Sequence, residues 1–257
     1  MARTIVITGA SSGIGAALAR QLAGRGDQVV LAARSKDALE SLAQELGAHA
    51  LAVPTDVTKR GEVERLRDRA IDACGGIDVW INNAGRGMSK AVADLTDEDI
   101  DDMITVNVKS ALYGVQAVLP HFKERGAGQV INISSFLSRV PMASIRSAYS
   151  ASKAALNSLT ANLRMDLAAT HPNIHVTLVM PGLVSTDFAK NAVYGTPPIP
   201  RGAGGAPSQT AEEVAAAITA VIDRPVAEIY TNPPLAGFAR MYYEDVEKFE
   251  AGLRSRS

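Results

Sequence analysis

Tyr149 and Lys153, in the stretch YSASK, stand four residues apart at the head of a helical pattern that runs towards Thr170. That spacing brings both side chains to one helix face. A free phenol titrates near pH ~10, too high for efficient proton exchange at neutrality, but an adjacent ammonium favours the phenolate and lowers that value. Tyr149 is therefore a candidate general acid/base, although a Tyr and a Lys at this spacing also occur on ordinary helix surfaces.

A second chemical signal lies near the start of the chain, where TGASSGIG (residues 8–15) follows the β-branched run RTIVI and precedes the helical pattern AALARQL. Strand, glycine turn and helix in that order are what a dinucleotide-binding turn requires. Gly9, Gly13 and Gly15 permit positive φ and close approach of backbone N–H groups to phosphate, and the positive end of the new helix faces it. Ser11 and Ser12 add hydroxyl donors beside Ile14. At the end of the next strand-like run, LAARSK, the place of an acid that would bind the ribose 2′-hydroxyl of NAD holds Ala33 and then Arg34. A planar cation suits a 2′-phosphate, so NADP(H) is expected in preference to NAD; a solvated loop arginine is the plainer alternative.

These residues need a scaffold, and the chain supplies a repeating pattern for one. Apolar strand-like runs at residues 5–8, 29–33, 50–53, 79–81, 130–134, 176–179 and 227–230 alternate with longer helical patterns. Continuous apolar runs between helices predict a parallel sheet buried on both faces, a doubly wound α/β Rossmann fold of about seven strands. At 257 residues with 47% hydrophobic content, one domain over 1–257 is the default. The segment 194–207, YGTPPIPRGAGGAP, cannot continue a helix or central strand. It is read within a substrate loop, 187–210, with a disordered insertion as the alternative. The tail 235–257 is expected to be helical. Phe238, Met241, Tyr242, Val246 and Phe249 fall at helical intervals, giving one apolar stripe for core or subunit packing, or else a pocket wall.

Composition narrows the partners. A net charge of −1 leaves no sequence-wide basic footprint for nucleic acid or an anionic membrane, and no apolar run approaches the ~18 residues of a membrane span. A small-molecule substrate is expected. His49, His121, His171 and His175 form no convincing ligand grouping, so no metal is expected. Cys74, alone, reads as a small packed hydrophobe, and the absence of an apolar signal segment at the start makes a reducing cytoplasm the expected location.

Several motifs occur together in order: TGASSGIG, the Asn82-Asn83-Ala84-Gly85 stretch, Asn107, Ser134-Ser135, Tyr149 with Lys153, and Pro181-Gly182 before Thr186. Jointly they resemble the short-chain dehydrogenase/reductase family over roughly residues 3–230. The resemblance implies an alcohol dehydrogenase or carbonyl reductase. Tyr149 would exchange a proton with the reacting oxygen and Ser135 would hydrogen-bond it. Lys153 would lower the tyrosine pKa and hold the nicotinamide ribose, and Asn107 would support Lys153 through a water-mediated relay. It further places Asp56 and Val57 at the adenine, Asn83, Ala84 and Gly85 beside the cofactor, and Pro181, Gly182, Val184 and Thr186 around the nicotinamide. In that family the helical stretches near residues 97–125 and 147–170 commonly form subunit contacts, which implies a homodimer or homotetramer.

Two features depart from the family pattern. The step from Ser135 to Tyr149 is 14 residues, one longer than the commonest step, so either the intervening loop bulges or the serine register is misread. EIYTNPPLAG stands where many members carry an acid and two glycines, which weakens an acyl-carrier-protein reductase assignment. An NADP-binding regulator of the same fold is the alternative to an enzyme, but it need not keep Tyr149 and Lys153. Pro, Gly and apolar residues in 136–146 and 187–207 point to a pocket more apolar than anionic.

Overall fold

A computed structural model describes residues 2–188, 192–195 and 207–254. Seven strands form one parallel sheet: β1 (Thr4–Thr8), β2 (Gln28–Ala33), β3 (Ala50–Pro54), β4 (Val79–Asn82), β5 (Gly128–Ile133), β6 (Ile174–Met180) and β7 (Glu228–Tyr230), in the order β3-β2-β1-β4-β5-β6-β7. The doubly wound arrangement expected from the alternating runs is present. The chain winds outward from β1 through β2 to β3, then starts again with β4 on the other side of β1. That reversal parts the loops at the carboxyl ends of β1 and β4, where doubly wound sheets open a ligand crevice.

Successive strand residues face opposite sides. Ile5 and Ile7 of β1, with Val29, Leu31 and Ile81, pack against α1 (Gly13–Gly24), α2 (Lys36–Leu46) and α7 (Ala211–Asp223). Val6, Val30, Trp80 and Val130 face the other way, onto α3 (Arg60–Cys74), α5 (Ser110–Arg125) and α6 (Ser147–Ala168). Phe122 of α5 is fully enclosed in that second layer; truncation to alanine there typically costs about 3–5 kcal/mol. Cys74, half-buried, packs against the same layer, as a small hydrophobe would.

Polar side chains fix α6 relative to the sheet. Trp80 Nε1 donates to Asn82 Oδ1 (2.8 Å), Asn82 Nδ2 to Asn132 Oδ1 (2.8 Å), and Asn132 Nδ2 to Thr160 Oγ1 (2.9 Å). This buried chain joins β4, β5 and α6 with each link satisfied, which makes it a rigid brace.

The stretch 97–125 is not one regular helix. α4 (Asp97–Ile104) opens with a capping box in which Thr96 Oγ1 accepts from Asp99 N and Asp99 Oδ2 accepts from Thr96 N. Thr105–Lys109 then widens into π geometry before α5 resumes, and Asn107 lies buried inside that turn. Such π turns frequently occur at functional sites.

The tail departs from the single stripe expected. α8 (Pro234–Glu244) and α9 (Val246–Arg254) are separated at Asp245, whose extended backbone (φ −157°, ψ 91°) redirects the chain. Phe238, Tyr242 and Phe249 still pack together, on Phe136 and Leu235, whereas Met241 and Val246 are exposed. Of the expected substrate loop, residues 189–191 and 196–206 lie outside the described residues. Among the described residues no helix is long and apolar enough to cross a membrane.

Candidate active site

A cleft of about 1050 Å³ opens along the carboxyl ends of the strands. Lining it are Gly9, Ser11, Ser12, Gly13, Ile14, Arg34, Asp56, Val57, Asn83, Ala84, Gly85, Ser135, Tyr149, Lys153, Pro181, Gly182, Val184 and Thr186. Two of the expected site residues, Gly15 and Asn107, do not line it.

The glycine turn forms one end. Gly9 and Gly13 take φ of +66° and +53°, a region side chains disfavour. A Cβ on Gly15 would stand 2.3 Å from Gly9 O and 2.8 Å from Asn83 Nδ2, so Gly15 is a packing position that lets α1 start directly beneath the turn. Asn83, just past the end of β4, clamps this turn: its Nδ2 donates to Thr8 O (2.9 Å) and Gly9 O (3.2 Å). Thr8 Oγ1 in turn accepts from the amides of Asn83 and Ala84 (both 3.0 Å). At Ser12 the backbone is extended and the hydroxyl makes no capping bond to α1, whose first turn holds no acid. The amides and hydroxyls here have the chemistry and the open cradle that a pyrophosphate needs.

Arg34 is exposed at the rim, following β2, and its positive charge acts on Asp56, which follows the neighbouring strand β3. Asp56 is held below the usual carboxylate range, chiefly because it accepts from Thr58 Oγ1 (2.7 Å), with Thr58 N, Lys59 and Arg34 adding to the effect. Val57 lies beside it on the wall.

The other end is built on α6 and the turn after β5. Ser135 and Tyr149 both line this end of the cleft, and both are buried. Ser135 Oγ accepts from Leu137 N (3.2 Å) at the start of a 3₁₀ turn, Phe136–Ser138. The neighbouring serines are committed elsewhere: Ser134 Oγ donates to Asn157 Oδ1 (2.6 Å), and Ser138 Oγ accepts from Asn157 Nδ2 (2.7 Å). With the 14-residue step between them, Ser135 and Tyr149 still line the same cleft.

Both members of the Tyr149–Lys153 pair are buried. Lys153 turns its ammonium to Ile133 O (2.8 Å), and burial lowers its pKa from 10.5 to about 8. Burial pushes the Tyr149 phenol up, and the influences opposing that rise are the Ser135 hydroxyl and the charge of Arg146. Arg146 thus adds a second cation near the phenol besides Lys153. Arg146 is buried at the N-terminus of α6, three residues ahead of Tyr149, and its type and position carried no signal that distinguished it in the sequence.

Asn107 sits behind Gly85. Its Oδ1 accepts from Arg86 N (2.9 Å), and its Nδ2 donates to Arg86 O (3.0 Å) and Ser152 Oγ (3.1 Å). A Cβ on Gly85 would lie 3.0 Å from Asn107 Oδ1 and 3.3 Å from Lys153 Nζ. The π turn therefore ties the Gly85–Arg86 backbone to α6 next to Lys153. Phe136, Leu137, Met142, Leu183, Phe188 and Leu235 add an apolar wall beside Tyr149, and the tail supplies Leu235 of it. Among the described residues no group of acids, histidines or cysteines could hold a metal ion.

Known proteins resemble this chain in sequence and in overall structure. The family model for short chain dehydrogenases matches residues 3–195. An uncharacterized oxidoreductase of Staphylococcus aureus is 42% identical over 182 residues, covering 70% of this chain and 78% of that protein. A short-chain dehydrogenase/reductase from Burkholderia phymatum, solved in complex with NAD, superposes with a TM-score of 0.86 at 28% identity, covering 96% of this chain and 94% of the other. One from Burkholderia cenocepacia, in complex with NADP, gives 0.81 at 29% identity, covering 98% and 97%. Sequence match and structural superposition agree, and the chain belongs to the short-chain dehydrogenase/reductase family of oxidoreductases.

Proposed function

We propose that this protein is an NADP(H)-dependent oxidoreductase that interconverts a carbonyl compound and an alcohol, with Tyr149 as general acid/base. The observation that carries the reading is the joining, in one cleft, of an open glycine turn with a buried Tyr149–Ser135 pair and Lys153. The dinucleotide would be held by Gly9–Gly13 and the amides of α1 at the pyrophosphate, Asp56 and Val57 at the adenine, and Arg34 at a 2′-phosphate. Asn83, Ala84, Gly85, Pro181, Gly182, Val184 and Thr186 would line its path to the nicotinamide. When bound, the nicotinamide supplies or accepts the hydride.

The residues of the chain do the rest. Ser135 Oγ orients the reacting oxygen by donating a hydrogen bond. Tyr149, kept protonated by burial, gives its Oη proton to that oxygen as the alcohol forms and takes one back in the opposite direction. Lys153 would hold the nicotinamide ribose. The enzyme would work on small-molecule substrates in the cytoplasm, as a homodimer or homotetramer.

Fluorescence titration with NADPH and NADH side by side, followed by assay of a ketone and aldehyde panel, tests this. Tighter NADPH binding with carbonyl-dependent oxidation is expected. Binding without oxidation of any compound would favour a regulator, and tighter NADH binding would overturn the role given to Arg34.

A further inference from the structure

Beyond the reacting groups, residues 87–90 form a strap between the start of α6 and the described segment 192–195. On one edge Lys90 N donates to Ile145 O (2.6 Å), Ser147 Oγ to Lys90 O (2.6 Å) and Arg146 Nη1 to Met88 O (3.4 Å). On the other, Val193 N donates to Gly87 O (2.9 Å), Ser89 N to Val193 O (3.0 Å) and Ser89 Oγ to Gly195 O (2.6 Å).

A cluster at the start of α4 fastens this edge. The buried carboxylate of Asp99 accepts from Tyr194 Oη at Oδ1 (2.9 Å) and from Lys90 Nζ at Oδ2 (2.6 Å), while the Lys90 ammonium lies 4.6 Å from the centre of the Tyr194 ring. Tyr194 takes φ of +61°, unfavourable for a bulky residue, so its surroundings must hold it there. None of Asp99, Lys90 and Tyr194 lines the cleft. The strap nevertheless reaches it at Gly87: a Cβ there would stand 3.0 Å from Phe188 Cε1, 3.1 Å from Arg146 Nη1 and 3.4 Å from Ala192 Cβ. The Phe188 ring, on the cleft wall, lies 5.7 Å from that of Tyr149, centre to centre.

We propose that Asp99 is a positioning residue for substrate selection: by gripping Tyr194 and Lys90 it fixes the 192–195 segment on the strap, and the Gly87 contact then holds Phe188 beside Tyr149. Phe188 so placed limits the bulk that a carbonyl substrate carries next to its reacting carbon. This rests on reading the cleft as a carbonyl site.

The test uses Y194F, D99N and F188A in the full chain, with two independent readouts. Y194F keeps the ring over Lys90 and removes only the hydroxyl. Without cofactor or substrate, amide hydrogen exchange of peptides covering 87–90 and 192–195 should rise roughly tenfold in Y194F, and at least as much in D99N, because a hydrogen bond to a charged group is lost. With NADPH, the kcat/KM preference for a small aliphatic ketone over a branched one should fall by about three- to tenfold, through KM, while NADPH affinity holds. F188A should remove the same preference, and adding Y194F to it should change nothing further.

Unchanged exchange together with unchanged preference in Y194F, in an active enzyme, would overturn the proposal. So would parallel loss of NADPH affinity and kcat, the mark of general damage. Raised exchange in a protein whose wild type turns over no carbonyl compound would place the failure in the reductase reading and remove the selectivity role with it.

Discussion

Lys153 places an ammonium where almost no water reaches it, with Ile133 O as its hydrogen-bond partner. Its pKa of about 8 in the folded chain lies below the ordinary 10.5. Between those two pH values the unfolded chain binds the extra proton, so stability rises with pH across that window, and below about pH 8 the full burial penalty applies. That penalty is of order 3 kcal/mol. In the protein without cofactor, Lys153→Met should therefore compare best with wild type near pH 7 and lose ground as pH rises towards 10. Thermal melts of both proteins across that range would show it, and a pH-independent difference would contradict it. Tyr149→Phe keeps the ring and deletes the proton donor: NADPH affinity should be retained while kcat falls by about 10²-fold or more. Unaltered turnover would remove Tyr149 from the mechanism. Arg34→Asp places at the end of β2 the acid that binds a ribose hydroxyl, and the NADPH-to-NADH affinity ratio should move towards NADH; an unmoved ratio would mean that Arg34 does not meet the cofactor.

At the level of elements, the β1 turn depends on the residue after β4 as much as on its own glycines. Asn83 was legible as a site residue through the Asn-Asn-Ala-Gly stretch, yet its amide is spent on Thr8 O and Gly9 O. Asn83→Ala leaves the turn carbonyls without these donors and should cost about 1–3 kcal/mol, together with weaker NADPH binding. Chemical denaturation and the fluorescence titration would measure the two effects, and loss of neither would make the clamp incidental. The helical period also announced α4, α5 and α6 but not the π turn between the first two. A side chain at 107 that binds both backbone groups of Arg86 needs a partner over 20 positions away, and no local pattern encodes that.

Over the whole molecule, the sheet and its two helical layers leave some large side chains uncovered. Ile100 of α4 and Leu159 and Met165 of α6 are exposed, on the helical stretches expected to meet another subunit. Light scattering should give a mass that is a multiple of 27.0 kDa, dimer or tetramer. A monomer at micromolar concentration would overturn the assembly and leave the site untouched, since each described lining residue belongs to one chain.

The sequence by itself determined the doubly wound sheet, because continuous apolar runs alternating with helices have few other ways to bury both faces. It also determined the glycine turn and the Tyr149–Lys153 pair, whose signals are short-range spacings. Tertiary structure decided the placing of Arg146 near the phenol, the inward turn of Lys153, the break at Asp245, and the fastening of 192–195 through Asp99. Each of these depends on burial or on a partner distant in the chain, and both arise only when the elements pack.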